Sequence, residues 1–209
     1  MRVSHHAHRH LPGPTGAGLG REVGATLVEF AMVAMFLLTI VSGSLDLGLA
    51  WRVTLVNNEA VRAGARSGSS LDQAALADWY ALSSARAALS SGGQLANVQR
   101  VVIYKSTATN GDVPAACITA TSTTEDCNIL TGAQFRALAQ ADFNTTSGCI
   151  VSGKATVANW CPNERDNVQL TANYYGLWIR VRYTNEFKVL GDGLNIDRNA
   201  VMRLEPDVN

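Results

Sequence analysis

The first residue that asks for chemistry is Glu29, inside REVGATLVEFAMVAMFLLTIV from Arg21 to Val41. A carboxylate at the mouth of an otherwise uncharged apolar run costs a few kcal/mol in hydrocarbon, so the position calls for a cation to oppose it. The other reactive side chains sort by place. His5, His6, His8 and His10 all precede the run, and residues 25–209 contain no histidine, which excludes a His-based hydrolase triad or a His-ligated zinc from that part. Cys117, Cys127, Cys149 and Cys161 lie in the distal part among Thr, Ser, Asn and Gly, with no C-x-x-C pair. That usage favours two disulfides in an oxidising compartment over a zinc knuckle or a redox pair. Three pairings are open; the sequential one, 117 with 127 and 149 with 161, would close two short loops worth about 3 kcal/mol each in the chain-entropy account. Glu164, Asp166, Asp192 and Asp197 read as surface charges near loops. GDGLNID, Gly191 to Asp197, hints at a calcium loop but lacks the twelve-position ligand pattern and terminal glutamate of an EF-hand. Hydroxyls are plentiful, but none has a base partner in the pattern. The residues therefore predict no catalytic set, no cofactor site and no metal site.

The elements that must position these residues follow from composition and period. Lys plus Arg and Asp plus Glu balance at 17 each, so no basic surface for nucleic acid is expected. At 209 residues and 47% hydrophobic content, a membrane element with one modest soluble domain fits better than several domains. Ala25 through Leu45 as a helix reaches roughly 31 Å, close to the ~30 Å hydrocarbon core. Arg2, Arg9 and Arg21 precede it and favour a cytoplasmic N-terminus, in agreement with oxidised cysteines on the far side. Two plainer readings compete: a secretory signal peptide cut near Gly48-Leu49-Ala50, or a simple single-pass anchor. Neither gives Glu29 a task, and the first has no use for the helical pattern that continues.

That continuation, LDLGLAWRVTLVNNEAVRAGARSGSS, sets Leu47, Trp51, Leu55, Ala60 and Ala63 mostly three or four residues apart, an amphipathic helix with these on its apolar face. Gly68, Ser69 and Ser70 interrupt it. A second helix is expected from Leu71 to Leu89, with Asp72 near its start and Gly92-Gly93 past its end. Asp46 reads as an exposed residue at the membrane interface or as a partner for Arg52 across subunits. Asn57, Asn58, Glu59, Arg62 and Arg66 read as a solvated face with i,i+3 and i,i+4 ion-pair support, or as a packing surface. Beyond Gly93 the pattern turns mixed. NVQRVVIYKS is a strand; the stretch to Asn128 is mostly loop; a short helix runs from Thr131 or Gly132 to Phe143; GCIVSGKATVANWC supplies one or two short strands. In YYGLWIRVRYTNEFKVL, Leu177, Ile179, Val181 and Tyr183 share one face, opposite Trp178, Arg180, Arg182 and Thr184; NAVMRLE closes the chain with Val201 and Arg203 opposite Met202 and Leu204. The fold class is α+β: a long N-terminal helix, transmembrane and then amphipathic, packed on a small antiparallel sheet with the Arg-bearing face wetter.

Gly24 followed by Ala25-Thr26-Leu27-Val28-Glu29-Phe30 resembles a type IV prepilin processing site ahead of a hydrophobic helix. GATLVEFAMV, the interruption that includes Asp46, NNEAVRAGAR from Asn57 to Arg66, and the C-terminal VRYTNEFKVL and AVMRLEP are similar to the TadE-like (TadE/TadG) proteins of tight-adherence Flp pilus systems. The resemblance implies a pilin-like fold and a cut after Gly24 by a prepilin peptidase, with Ala25 as the new terminus and a candidate for N-methylation. It implies that Glu29, then the fifth residue, pairs with the terminal amine of a neighbouring subunit, with Phe30 and Asp46 also serving assembly and Asn58, Glu59, Arg62 and Arg66 serving subunit packing. The expected organisation is a cytoplasmic leader over 1–24, a transmembrane helix over 25–46, an amphipathic helical stalk over 47–93 and an extracytoplasmic domain over 94–209. The implied role is a non-catalytic pseudopilin or minor pilin of a bacterial inner membrane, open to incorporation in an extracellular pilus. Its implied partners are the prepilin peptidase, other pilins or pseudopilins, the inner-membrane assembly machinery and the lipid bilayer, with no nucleic acid. The alternative is an anchored or pilus-tip adhesin that binds through the cysteine-bearing region.

Overall fold

The computed structural model describes residues 19–106, 111–168, 171–185 and 191–205, with side chains from Gly24 onward. The histidine-bearing head lies outside them together with most of the expected leader, as do residues 186–190 and Pro206 of the C-terminal segments. The chain divides into two compact units, Met1–Ser42 and Gly43–Asn209.

Helix α1, Leu19–Ser70, contributes to both units. In the first unit it is rich in Ala, Leu, Met and Phe, and almost every side chain from Gly24 to Val41 is exposed, Phe30 at 72%. A window of this helix is long and apolar enough to cross a membrane, with a mean hydropathy of 2.1. The hydroxyl of Thr39 donates to the Met35 carbonyl at 2.9 Å, which settles that polar group within the helix as hydrocarbon requires.

The second unit is built on a five-stranded antiparallel sheet in the order β3-β2-β1-β4-β5. Its strands are β1 Val98–Ser106, β2 Cys127–Thr131, β3 Val157–Ala158, β4 Tyr174–Tyr183 and β5 Leu194–Arg203. Pairing of β1 with β4 sets Ile103 opposite Leu177 and Val101 opposite Ile179. Leu177, Ile179, Val181 and Tyr183 turn into the main core with Ala60, Val61, Leu82 and Leu89 from α1 and from α2, Ala77–Ser91. This is the face that strand alternation predicts to be covered. The opposite face is divided. Val102, Tyr104, Ile129 and Trp178 form a second apolar cluster with Cys117 and Cys127, beside α3, Ala115–Thr119. Farther along β4, Arg182 is exposed and Arg180 is half-buried, paired with Asp197 at 2.6 Å and stacked over Trp178. The Arg-bearing face is wet at one end and covered at the other. Both disulfides take the sequential pairing, Cys117–Cys127 and Cys149–Cys161.

Several elements depart from the sequence reading. In the second unit the buried stripe of α1 is Ala50, Val53, Asn57, Ala60, Val61 and Ala65, whereas Leu47, Trp51 and Leu55 are exposed and Ala63 is half-buried. Close approach explains the reversal. A Cβ at Gly64 would lie 2.3 Å from Leu177 Cδ2, and one at Gly68 would lie 2.4 Å from the Tyr175 ring, so the contact face selects small residues over large apolar ones. Gly68 accordingly does not interrupt α1; the break comes at residues 71–76, where Asp72 takes φ +50°, and α2 begins at Ala77 instead of Leu71. The expected helix to Phe143 is short: α4 spans Gly132–Ala137, fixed by a capping box of Thr131 with Gln134, and a 3-10 turn covers Gln140–Asp142. In the GDGLNID stretch, Leu194 to Asp197 already belong to β5 and the Asp197 carboxylate is engaged by Arg180, so no calcium loop forms there.

Candidate assembly site and a buried ion pair

Gly24, Ala25, Glu29 and Phe30 all lie exposed on α1. The backbone at Gly24 is helical, because the flanking residues propagate the ladder through it. Glycine weakens that turn by about 1 kcal/mol relative to alanine, and nothing lies within 4 Å of the space a Cβ would fill. The turn is therefore open and the easiest in its neighbourhood to unwind. Ala25 and Glu29 stand four residues apart, on the same helix face. An amine created at Ala25 would share a face with the carboxylate of its own chain and could meet that of another.

Asp46 is not exposed. It is fully buried in the second unit, where the Tyr183 hydroxyl donates to its Oδ1 at 3.3 Å. The end of β4 thus supplies the donor that an isolated helix reading cannot see. Asn57 is also buried; its Nδ2 donates to the carbonyls of Ile179 and Ile196 at 3.0 Å each, bridging β4 and β5 to α1, while its Oδ1 has no partner among the described residues. Asn58 is half-buried, and Glu59, Arg62 and Arg66 are exposed. None of these three charged residues forms an ion pair among the described residues, so the expected support between charges within the helix is not formed there.

The strongest polar cluster involves residues the sequence reading passes over. Arg165 Nη2 meets Asp78 Oδ1 at 2.5 Å with both side chains fully buried. The Tyr175 hydroxyl donates to the same oxygen at 3.2 Å, and Asn128 Nδ2 donates to Asp78 Oδ2 at 3.1 Å and to the Trp160 carbonyl at 2.8 Å. The guanidinium lies 4.5 Å from the Trp160 ring centroid and 4.9 Å from that of Tyr175, an arrangement in which cation–π attraction is strengthened by desolvation. Burial, and then the Asp78 carboxylate, push the Tyr175 hydroxyl well above its usual range. The cluster ties α2, β2 and β4 to the segment that follows Cys161. A lone carboxylate inside ALADWYAL was the available sequence signal, but its partner lies 87 residues away.

Nothing in this arrangement pairs a nucleophile with a base, and among the described residues no group of three or more His, Cys, Asp or Glu could hold a metal. A groove of about 900 Å³ is lined mainly by Ala74, Ala75, Leu76, Tyr80, Ala141 and Phe143, an apolar set with no carboxylate, amine or thiol.

The model of the TadE-like protein family matches residues 24–66. The match begins at Gly24, includes Glu29, Asp46 and the Asn57–Arg66 stretch, and ends before α2; the likeness read in VRYTNEFKVL and AVMRLEP is not part of it. No curated protein and no solved structure matches the chain at a significant level.

Proposed function

We propose that this protein is a non-catalytic, membrane-anchored pseudopilin or minor pilin of a tight-adherence pilus, processed after Gly24. The observation that carries the reading is the family match opening at Gly24, on an exposed apolar helix in which Glu29 is the first carboxylate after that glycine. In this reading the leader is cytoplasmic, the prepilin peptidase unwinds the weak turn at Gly24, and the cut creates the cation that Glu29 lacks. Insertion of a subunit in correct register then neutralises a carboxylate that would otherwise oppose burial. Assembly becomes conditional on processing, and the partners are the peptidase, other pilins and the inner-membrane machinery.

The test is the N-terminal residue and intact mass of membrane-extracted protein from cells with and without the peptidase. A terminus at Ala25 that depends on the peptidase is expected; a terminus near Trp51 or an uncut chain would sink the proposal. Given processing, Glu29→Ala should leave the protein made and membrane-bound while pili per cell fall about tenfold, the effect of losing roughly 1.4 kcal/mol of charge pairing. Unchanged pilus counts would remove Glu29 from this role.

A further inference from the structure

We infer that the first turns of α1 in the second unit form a headgroup dock, in which Trp51 enters the membrane interface and Arg52 holds a lipid phosphate. The inference rests on the reading of the preceding helix as a membrane span. Trp51 is 65% exposed, and Leu47 and Leu55 beside it on the helix are exposed as well, although the core of this unit draws on the opposite stripe. A span of about 20 residues counted from Ala25 ends at Ser44, and one counted from Phe30 ends at Leu49. Either count sets Trp51 roughly 3 to 11 Å along the helix beyond the hydrocarbon. Tryptophan is favoured at that depth because its indole is apolar in body and polar at one edge.

The charge pattern selects the ligand. Arg52 is exposed and has no carboxylate partner among the described residues. It lines a pocket of about 150 Å³ with Gln94, Asn97 and Thr184, groups that can donate hydrogen bonds to phosphate oxygens. The nearest acidic residue in the helix, Asp46, is folded away under Tyr183. The exposed surface of α1 between Gly43 and Asn58 therefore presents one cation and no anion, and a cation held near an anionic lipid surface is worth about 1 kcal/mol.

The full chain in nanodiscs of phosphatidylcholine with phosphatidylglycerol as the minor lipid provides the test. Trp160 and Trp178 are buried and Trp79 is half-buried on α2, so the Trp51 signal is the difference between the parent chain and Trp51→Phe: the quenching by lipids brominated high on the acyl chain should fall sharply in that variant. By native mass spectrometry, Arg52→Gln should retain phosphatidylglycerol about fivefold less than the parent chain, the effect of one cation at the surface. Unchanged quenching in Trp51→Phe, with the protein still in the discs, would overturn the dock and leave the anchor standing. Trp51 emission that ignores brominated lipid but shifts with the number of copies per disc would overturn it in favour of a helix-to-helix face. Failure of the chain to enter the discs at all would overturn the anchor and the dock together.

Discussion

Glu29 and Asp78 are both single carboxylates set in apolar sequence, and their fates differ because, among the described residues, only Asp78 is paired with a cation. Asp78 has Arg165, with Tyr175 and Asn128 completing its hydrogen bonds. Asp78→Asn leaves the guanidinium buried without a counter-charge and should cost about 3–5 kcal/mol, read by urea denaturation of detergent-solubilised protein. The pair Asp78→Leu with Arg165→Met should cost much less, since no lone charge remains; equal losses in the single and double variants would mean the two groups are uncoupled. Tyr175 gives the pH dependence. Its folded hydroxyl holds the proton above the usual tyrosine range, while the unfolded chain releases it near pH ~10. The contribution is thus fully present below pH ~10 and is lost as pH rises beyond it. Tyr175→Phe should flatten the alkaline fall in stability, leaving the part due to Tyr104, whose hydroxyl burial also raises; an unaltered alkaline slope would refute the assignment.

At the scale of elements, the fit of α1 on the sheet depends on what is missing from Gly64 and Gly68. A methyl at Gly68 meets the Tyr175 ring well inside contact distance, so Gly68→Ala should cost about 1–3 kcal/mol by overpacking, seen as a lowered Tm. A chain that accepts valine at Gly68 with no change in Tm would mean the helix does not seat there. The same contact shows why the sequence misleads about this helix: periodicity ranks Leu47, Trp51 and Leu55 with Ala60 and Ala63 as the buried set, but the approach of a sheet more than a hundred residues away rewards the small residues Ala60, Gly64 and Gly68 and leaves the three large ones exposed. Strands β1 and β4 were legible from their runs of Val, Ile and aromatic residues. Strand β2 was not, because Cys127, Asn128, Ile129 and Leu130 are all buried and offer no alternation. The start of α2 was misplaced because LDQAAL contains good helix formers; its conformation is set from outside, by Asn167 donating to the Asp72 carboxylate and Gln73 donating to the Arg165 carbonyl. The Gly24–Phe30 pattern could be read directly, since its chemistry is local, whereas Asp78 and Arg165 meet only through the fold.

At the scale of the whole molecule, the main core and the second cluster use residues 50–204 alone, all within the second unit. A chain beginning at Gly43 should therefore form both disulfides and melt in one cooperative transition by circular dichroism; a broad, non-cooperative melt would show that the first unit contributes to stability. The seating of α1 also has a consequence for synthesis. Asn57 is held by carbonyls 122 and 139 residues farther along the chain, and at ~5–20 residues per second the ribosome needs on the order of ten seconds to deliver them. The apolar helix is finished long before its seat exists. Membrane insertion can precede folding, so the nascent domain completes itself as a tethered chain whose small-residue stripe stays uncovered until β4 and β5 arrive, and that interval is when a neighbour's strands could take their place.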